Sequence, residues 1–269
     1  MISVPILDAS AWREYRGQPG NPGINVSTHL AKIADETGKE RLCYVKLMPS
    51  PISPALLCEA LGWVLAGYAE VNRAEFSAIV MVDVATLRKS QPLSPEFDTL
   101  TFCPAWCSQA VPGSAVRDQV KRMDFVISRK AFLRAQDSRK IAAFDQWSDL
   151  RDRNFGNVIR SDKGGYASID HETMLYDTLW IPTGLGFEQR CLMEQARKAL
   201  DSKEFKRFQV DMAKAAEGHA PAFAKARADL EALIELILDD PTPEKGGIVS
   251  TLDARSQQGW LATQLGVFA

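Results

Sequence analysis

The apolar pattern of this 269-residue chain changes character near its middle, and that change limits the folds open to it. In the first half, apolar residues fall into short runs broken by Gly, Pro and polar clusters, the grammar of strands and turns. Ile24–Ile33 and Leu42–Leu47, separated by Asp35–Glu40, read as a β-hairpin with Gly38 in its turn. Ala78–Val84 is a short apolar run suited to a buried strand, whereas residues 11–28, with Gly17, Gly20, Gly23, Pro19 and Pro22, read as a loop. One helix interrupts this half. Ser53 caps it, Pro54 suits its first position, and Leu57, Leu61, Val64, Leu65 and Tyr68 form its stripe.

The second half is written in helical spacing. Lys130–Leu150 reads as one or two helices, followed by stretches near 187–200, 203–217 and 220–239. In the last of these Leu230, Leu233, Ile234, Ile237 and Leu238 share a face, which marks core packing. Ser250 with Asp253 resembles the start of a final helix. The expected fold class is therefore α+β, with a β-rich part over residues 1–107 and a mainly helical part over 108–269. The break falls in the Pro-rich, irregular stretch Ser90–Gly113.

Charge and cysteine usage narrow the function classes. The 32 Lys+Arg against 34 Asp+Glu leave a net charge of −2, which argues against a general nucleic-acid or membrane-surface binder. Five cysteines are too few, and odd in number, for a disulfide framework. Cys103 and Cys107 lack the second ligand pair zinc requires, so buried thiols are expected. No run approaches the roughly 18 apolar residues of a membrane span, and the N-terminal sequence has no signal-peptide pattern. A cytoplasmic location is expected, with no membrane partner.

One segment carries chemistry. Between the Lys130–Leu150 helical region and the helix near 187, the chain reads Asp152-Arg-Asn-Phe-Gly-Asn157, then a short apolar strand, Asp162-Lys-Gly-Gly, and a second strand ending at Asp170. A hairpin of that size returns Asp170 beside Asn157. An Asp and an Asn five residues apart, followed by a strand-end Asp, suit metal-assisted phosphoryl transfer. That reaction needs a carboxylate to accept a hydroxyl proton, and oxygen ligands for Mg²⁺. Asp149, three residues before Asp152, competes for the role of base. Trp147 is expected in the core.

Here the sequence resembles a family. Trp147, the Asp152–Asn157 loop and Ile169-Asp170-His171 look like the HipA-like kinases, and most closely their short single-domain branch within the protein-kinase-like superfamily. The strong part of the resemblance covers about residues 144–172. It implies a two-lobed fold, with a small β-rich N-lobe and a mainly helical C-lobe. It also implies an ATP- and Mg²⁺-dependent phosphotransferase acting on Ser or Thr hydroxyls of a protein, with autophosphorylation as the first signal. Asp152 would be the catalytic base, and Asn157 and Asp170 would bind Mg²⁺. Lys46 would contact the α- and β-phosphates, and Glu59 would pair with Lys46; Glu70 and Glu75 are alternatives to Glu59. The loop with Gly20 and Gly23, up to Ser27 and Thr28, would cover the phosphates. A regular G-x-G-x-x-G is absent, and Asp-Phe-Gly is replaced by Asp170-His-Glu. Two other readings stand beside this one. One is a kinase-fold binding module without turnover. The other is a metal-dependent phosphodiester hydrolase using Asp152, Asp170 and His171.

Overall fold

A computed structural model describes residues 1–19, 27–122 and 125–267. Gly20 and Gly23 lie outside them. The chain is α+β and divides into two units, each discontinuous in sequence. A sheet unit comprises residues 3–56 and 74–110; a helical unit comprises 1–2, 57–73 and 111–269.

The sheet unit is a mixed six-stranded sheet. Its strands are β1 (Ile6–Leu7), β2 (Trp12–Gly17), β3 (His29–Ala34), β4 (Glu40–Leu47), β5 (Ser77–Asp83) and β6 (Phe102–Gln109), in the order β1-β5-β6-β4-β3-β2. Only the β1–β5 pair is parallel. The β3–β4 hairpin turns at Asp35, whose carboxylate accepts from Thr37 and Lys39 and pairs with Arg41. Side chains alternate across a strand. Ala31, Ile33, Cys43, Val45, Leu47, Val80, Val82, Cys103, Ala105 and Cys107 therefore line one buried face. Leu87, from the short helix α1 (Val84–Arg88), and Phe97 belong to the same core.

Two expectations for this unit need correction. Residues 11–28 are not all loop, because Trp12–Gly17 forms the edge strand β2. Its pairing with β3 is broken by two register shifts, so no clean alternation was visible. The Ser90–Gly113 stretch is not irregular throughout, because it contains the central strand β6, with Pro104 inside it. Pro104 O accepts from Met48 N at 2.9 Å, so its missing N–H also points to the β4 side. The ladder there ends at the Leu47–Ala105 pair, and a proline costs only a terminal bond. The Cys43, Cys103 and Cys107 thiols are buried as expected: burial pushes Cys43 up to about 12 and Cys103 up to about 11.

The helical unit takes in most of α2 (Ala55–Tyr68) and continues through β7 (Gly113–Ala115), α3 (Val116–Arg122), α4 (Phe125–Arg134) and α5 (Gln136–Trp147). A hairpin, β8 (Val158–Ser161) and β9 (Tyr166–Ser168), joins β7 in a three-stranded sheet. Its turn places Gly164 and Gly165 at φ +92° and +76°, backbone that glycine adopts without strain. Asp137, at the start of α5, accepts from Tyr166 N at 2.8 Å and ties the hairpin to that helix. The remaining helices are α6 (Leu192–Ala199), α7 (Ser202–Ala216), α8 (His219–Ile237), α9 (Thr242–Ser256) and α10 (Trp260–Leu265). Ser250 and Asp253 lie inside α9 rather than at a helix start. Ser250 Oγ donates to Gly247 O at 3.1 Å, and this back-bond lets a serine sit within a helix. Among the described residues no helix is long and apolar enough to cross a membrane.

Trp147 is fully buried at the end of α5. Its Nε1 donates to Leu252 O at 2.8 Å, and its ring stacks on His219 at 4.4 Å. Burial pushes the His219 imidazole down to about 4. The unfolded chain takes up this proton near pH 6.5 and the folded chain only near 4, so acid favours unfolding. The stability is complete above about pH 6.5 and falls by about 3 kcal/mol as pH drops through 4. Urea unfolding at pH 7 and pH 4 should show this loss in the wild type and a smaller one in His219→Phe. Equal losses in both proteins would refute the assignment.

Candidate active site

The candidate site is built where α5 stops and the β8–β9 hairpin begins. Helix α5 closes with Ser148, whose N–H and hydroxyl both reach Phe144 O. Asp149 then takes the left-handed region at φ +52°, turning the chain out of the helix. Its carboxylate is 2% exposed, pairs with Arg151 at 2.7 Å and Arg255 at 3.0 Å, and accepts from Asp177 N. Two guanidinium groups and an amide thus occupy the competitor for the base role.

Asp152 is differently placed. Its backbone N–H donates to Thr173 Oγ1 at 3.1 Å. Its Oδ1 lies 3.3 Å from Asn154 Nδ2 and 3.4 Å from an Arg190 nitrogen. Oδ2 has no hydrogen-bond partner among the described residues, so it can receive a proton. Burial pushes the Asp152 carboxyl above the usual carboxylate range. The Asn154 hydrogen bond and the Arg190 charge oppose that shift, and the charge of Asp170 adds to it. The carboxylate is thus a stronger base than an ordinary aspartate.

Asn157 turns its amide nitrogen to Asp152 O at 3.0 Å. A carbonyl only accepts, so this bond identifies the nitrogen end and leaves the amide oxygen for another partner. Ile169 N donates to Asn157 O at 3.1 Å, which places Asp170 beside Asn157 at the open end of the hairpin. Asp170 adopts φ +64°, a conformation rare for a residue with a Cβ. The structure therefore brings Asp152, Asn157 and Asp170 together.

Arg153 holds this arrangement from beneath. It is fully buried, and its Nε and terminal nitrogen reach Asp145 at 2.9–3.2 Å. Its other terminal nitrogen donates to Asn157 O at 3.0 Å and Ile169 O at 2.6 Å. One guanidinium thus links the ends of both hairpin strands, and it is structural rather than a phosphate ligand. Burial raises the Asp145 carboxyl pKa, and the Arg153 charge works against it.

Helix α2 brings a further acid. Glu59 is 1% exposed, and its carboxylate accepts from His171 N at 2.9 Å. Close approach is possible because Gly62 lacks a side chain: a Cβ there would sit 2.4 Å from His171 Cβ. Carboxylate oxygens of Glu59, Asp170 and Glu172 lie within 4.8 Å of one another. This donor set is all oxygen, which fits Mg²⁺ and suits neither zinc nor copper. His171 is not arranged as a ligand. Its Nε2 meets Ser168 Oγ at 3.0 Å, and its ring packs edge-on against Phe144.

The other sequence candidates lie in the sheet unit. Lys46 stands on β4 opposite Trp106 of β6, on the face away from Cys43, Val45 and Leu47. Ser27 is buried and Thr28 leads into β3. Trp12 Nε1 donates to His29 Nε2 at 3.1 Å, so that nitrogen is unprotonated and Nδ1–H donates to Ser27 O at 3.0 Å. Sequence reasoning passed over Glu172, Thr173 and Arg190. Glu172 adjoins the Asp170-His171 pair, but no spacing singled it out. Arg190 is 38 residues from Asp152, with no pattern joining them. Compared with known proteins, the sequence matches no protein-family model and no curated protein.

Proposed function

We propose that this chain is an ATP- and Mg²⁺-dependent phosphotransferase that passes the γ-phosphoryl group to a Ser or Thr hydroxyl of a protein, as its resemblance to HipA-like kinases implies. The observation that supports this reading is the joining of Asp152, Asn157 and Asp170 by one loop and one hairpin. In this reading the sheet unit is the nucleotide-covering lobe and the helical unit the catalytic lobe. Asp152 Oδ2 takes the proton of the attacking hydroxyl. Asn157 and Asp170 hold the cation through oxygen, and Glu172 adds charge beside them. Bound Mg²⁺ would neutralise charge on the phosphates. Lys46 is assigned to the α- and β-phosphates, and Ser27 and Thr28 to the covering loop. Positioning and charge neutralisation supply most of the rate, because the transferring group needs little covalent help.

The test is direct. Mg·ATP should raise the melting temperature more than ATP with chelator, and γ-labelled ATP should leave label on the protein or on an added acceptor. Asp170→Ala should weaken Mg·ATP binding about tenfold or more and suppress labelling. Binding without label transfer would identify a binding module instead. Hydrolysis of phosphodiesters without ATP would identify a hydrolase.

A further inference from the structure

Arg190 is held against the Asp152 loop by its backbone. Arg190 N donates to Arg151 O at 2.6 Å, and Arg153 N donates to Arg190 O at 2.9 Å, forming a parallel bridge between Asp152 and Arg190. The Cα of Arg190 is thus fixed beside the proposed base whatever its side chain does. The guanidinium has one terminal nitrogen 3.4 Å from Asp152 Oδ1 and the other on Glu188 Oε2. It is 37% exposed. A guanidinium carries five N–H donors, and these two partners leave others unused. The loop itself supplies no alternative: between Asp152 and Asn157 the only cation is Arg153, which is fully buried and committed to Asp145 and two carbonyls.

Phosphoryl transfer spreads negative charge over the oxygens of the moving group, and a cation beside the nucleophile stabilises that charge. We propose that Arg190 is a further catalytic residue, whose guanidinium leaves its long pairing with Asp152 to bind the oxygens of the transferring phosphoryl group. The inference rests on the phosphotransferase reading above. In the step, the acceptor oxygen forms a bond to the γ-phosphorus of a nucleoside triphosphate. The bond from that phosphorus to the β,γ-bridging oxygen breaks, and the diphosphate leaves with the electron pair. The acceptor proton goes to Asp152 Oδ2. Arg190 exchanges one charge-assisted hydrogen bond for another and gives up no proton.

The experiment compares wild type, Arg190→Ala and Arg190→Lys in two measurements. One is turnover of γ-labelled Mg·ATP, read as label on the protein and as released phosphate. The other is the dissociation constant of Mg·ADP, which lacks the group Arg190 is to bind. Arg190→Ala should lower turnover about 10³-fold while Mg·ADP affinity stays within twofold, and Arg190→Lys should recover part of the rate. Turnover within threefold of wild type would overturn the inference and leave the phosphotransferase reading standing. Faster turnover would overturn it by showing that the pairing restrains Asp152. Parallel loss of Mg·ADP affinity would overturn it by showing a structural role. A wild-type protein that neither binds Mg·ATP nor transfers label would remove the reading and this inference together.

Discussion

Replacing Asp152 with alanine is expected to abolish phosphoryl transfer, with a loss of about 10³-fold, while the protein remains folded. The magnitude follows from removing a positioned general base, which contributes roughly 10²–10⁴-fold. The intact fold follows from how Asp152 is held. Its backbone N–H, not its carboxylate, makes the bond to Thr173, and the β-bridge to Arg190 is also main-chain. Burial raises the carboxyl pKa, so the folded protein holds that proton more tightly than the unfolded chain does. Above the ordinary carboxylate range, ionised Asp152 therefore costs stability rather than adding to it. The variant should melt at or above the wild-type temperature. Label transfer from γ-labelled Mg·ATP and a thermal melt on the same preparation check both halves. Near-normal transfer would assign the base elsewhere, and a collapsed melt would make Asp152 a structural residue.

Arg153→Met should have the opposite character, destabilising the fold at a residue adjacent in sequence to the base. The Arg153–Asp145 pair is almost fully excluded from solvent, at 0% and 4% side-chain exposure. Removing the cation strands a carboxylate in the interior, a change that costs about 3–5 kcal/mol. Two carbonyls, of Asn157 and Ile169, lose a donor at the same time. For a chain of this length the expected fall in melting temperature is on the order of 10 °C. The double variant Asp145→Leu with Arg153→Met should recover part of that loss, because it removes the stranded charge as well. Both variants should lose transfer, since the guanidinium also holds the strand ends beside Asn157 and Asp170. An unchanged melt in Arg153→Met would show that the clamp is not structural.

Much of the fold was readable where a single local rule decided the matter. The α7 and α8 helices lie close to the stretches 203–217 and 220–239 read as helical, α6 begins at Leu192 rather than near 187, and Asp162–Gly165 turns the β8–β9 hairpin because glycines take positive φ there. Reading failed where a rule was overridden. Pro104 signalled irregular chain, yet its missing donor falls at the end of the β4 ladder and the strand survives. Trp12–Gly17 lost its alternation to bulges, and β7 was too short to show any.

By itself the sequence determined the α+β character and the spacing of Asp152, Asn157 and Asp170, because both depend on neighbours a few residues apart or on one short hairpin. Tertiary structure alone decided that Glu59 reaches His171 N across 112 residues, that Gly62 leaves room for the approach, and that Arg190 stands at Asp152. It also decided that Asp149 is tied to Arg255 while Asp152 keeps an open oxygen. These outcomes depend on which buried surfaces pack together. Packing selects partners by shape and charge across long separations, and local spacing carries no record of that choice.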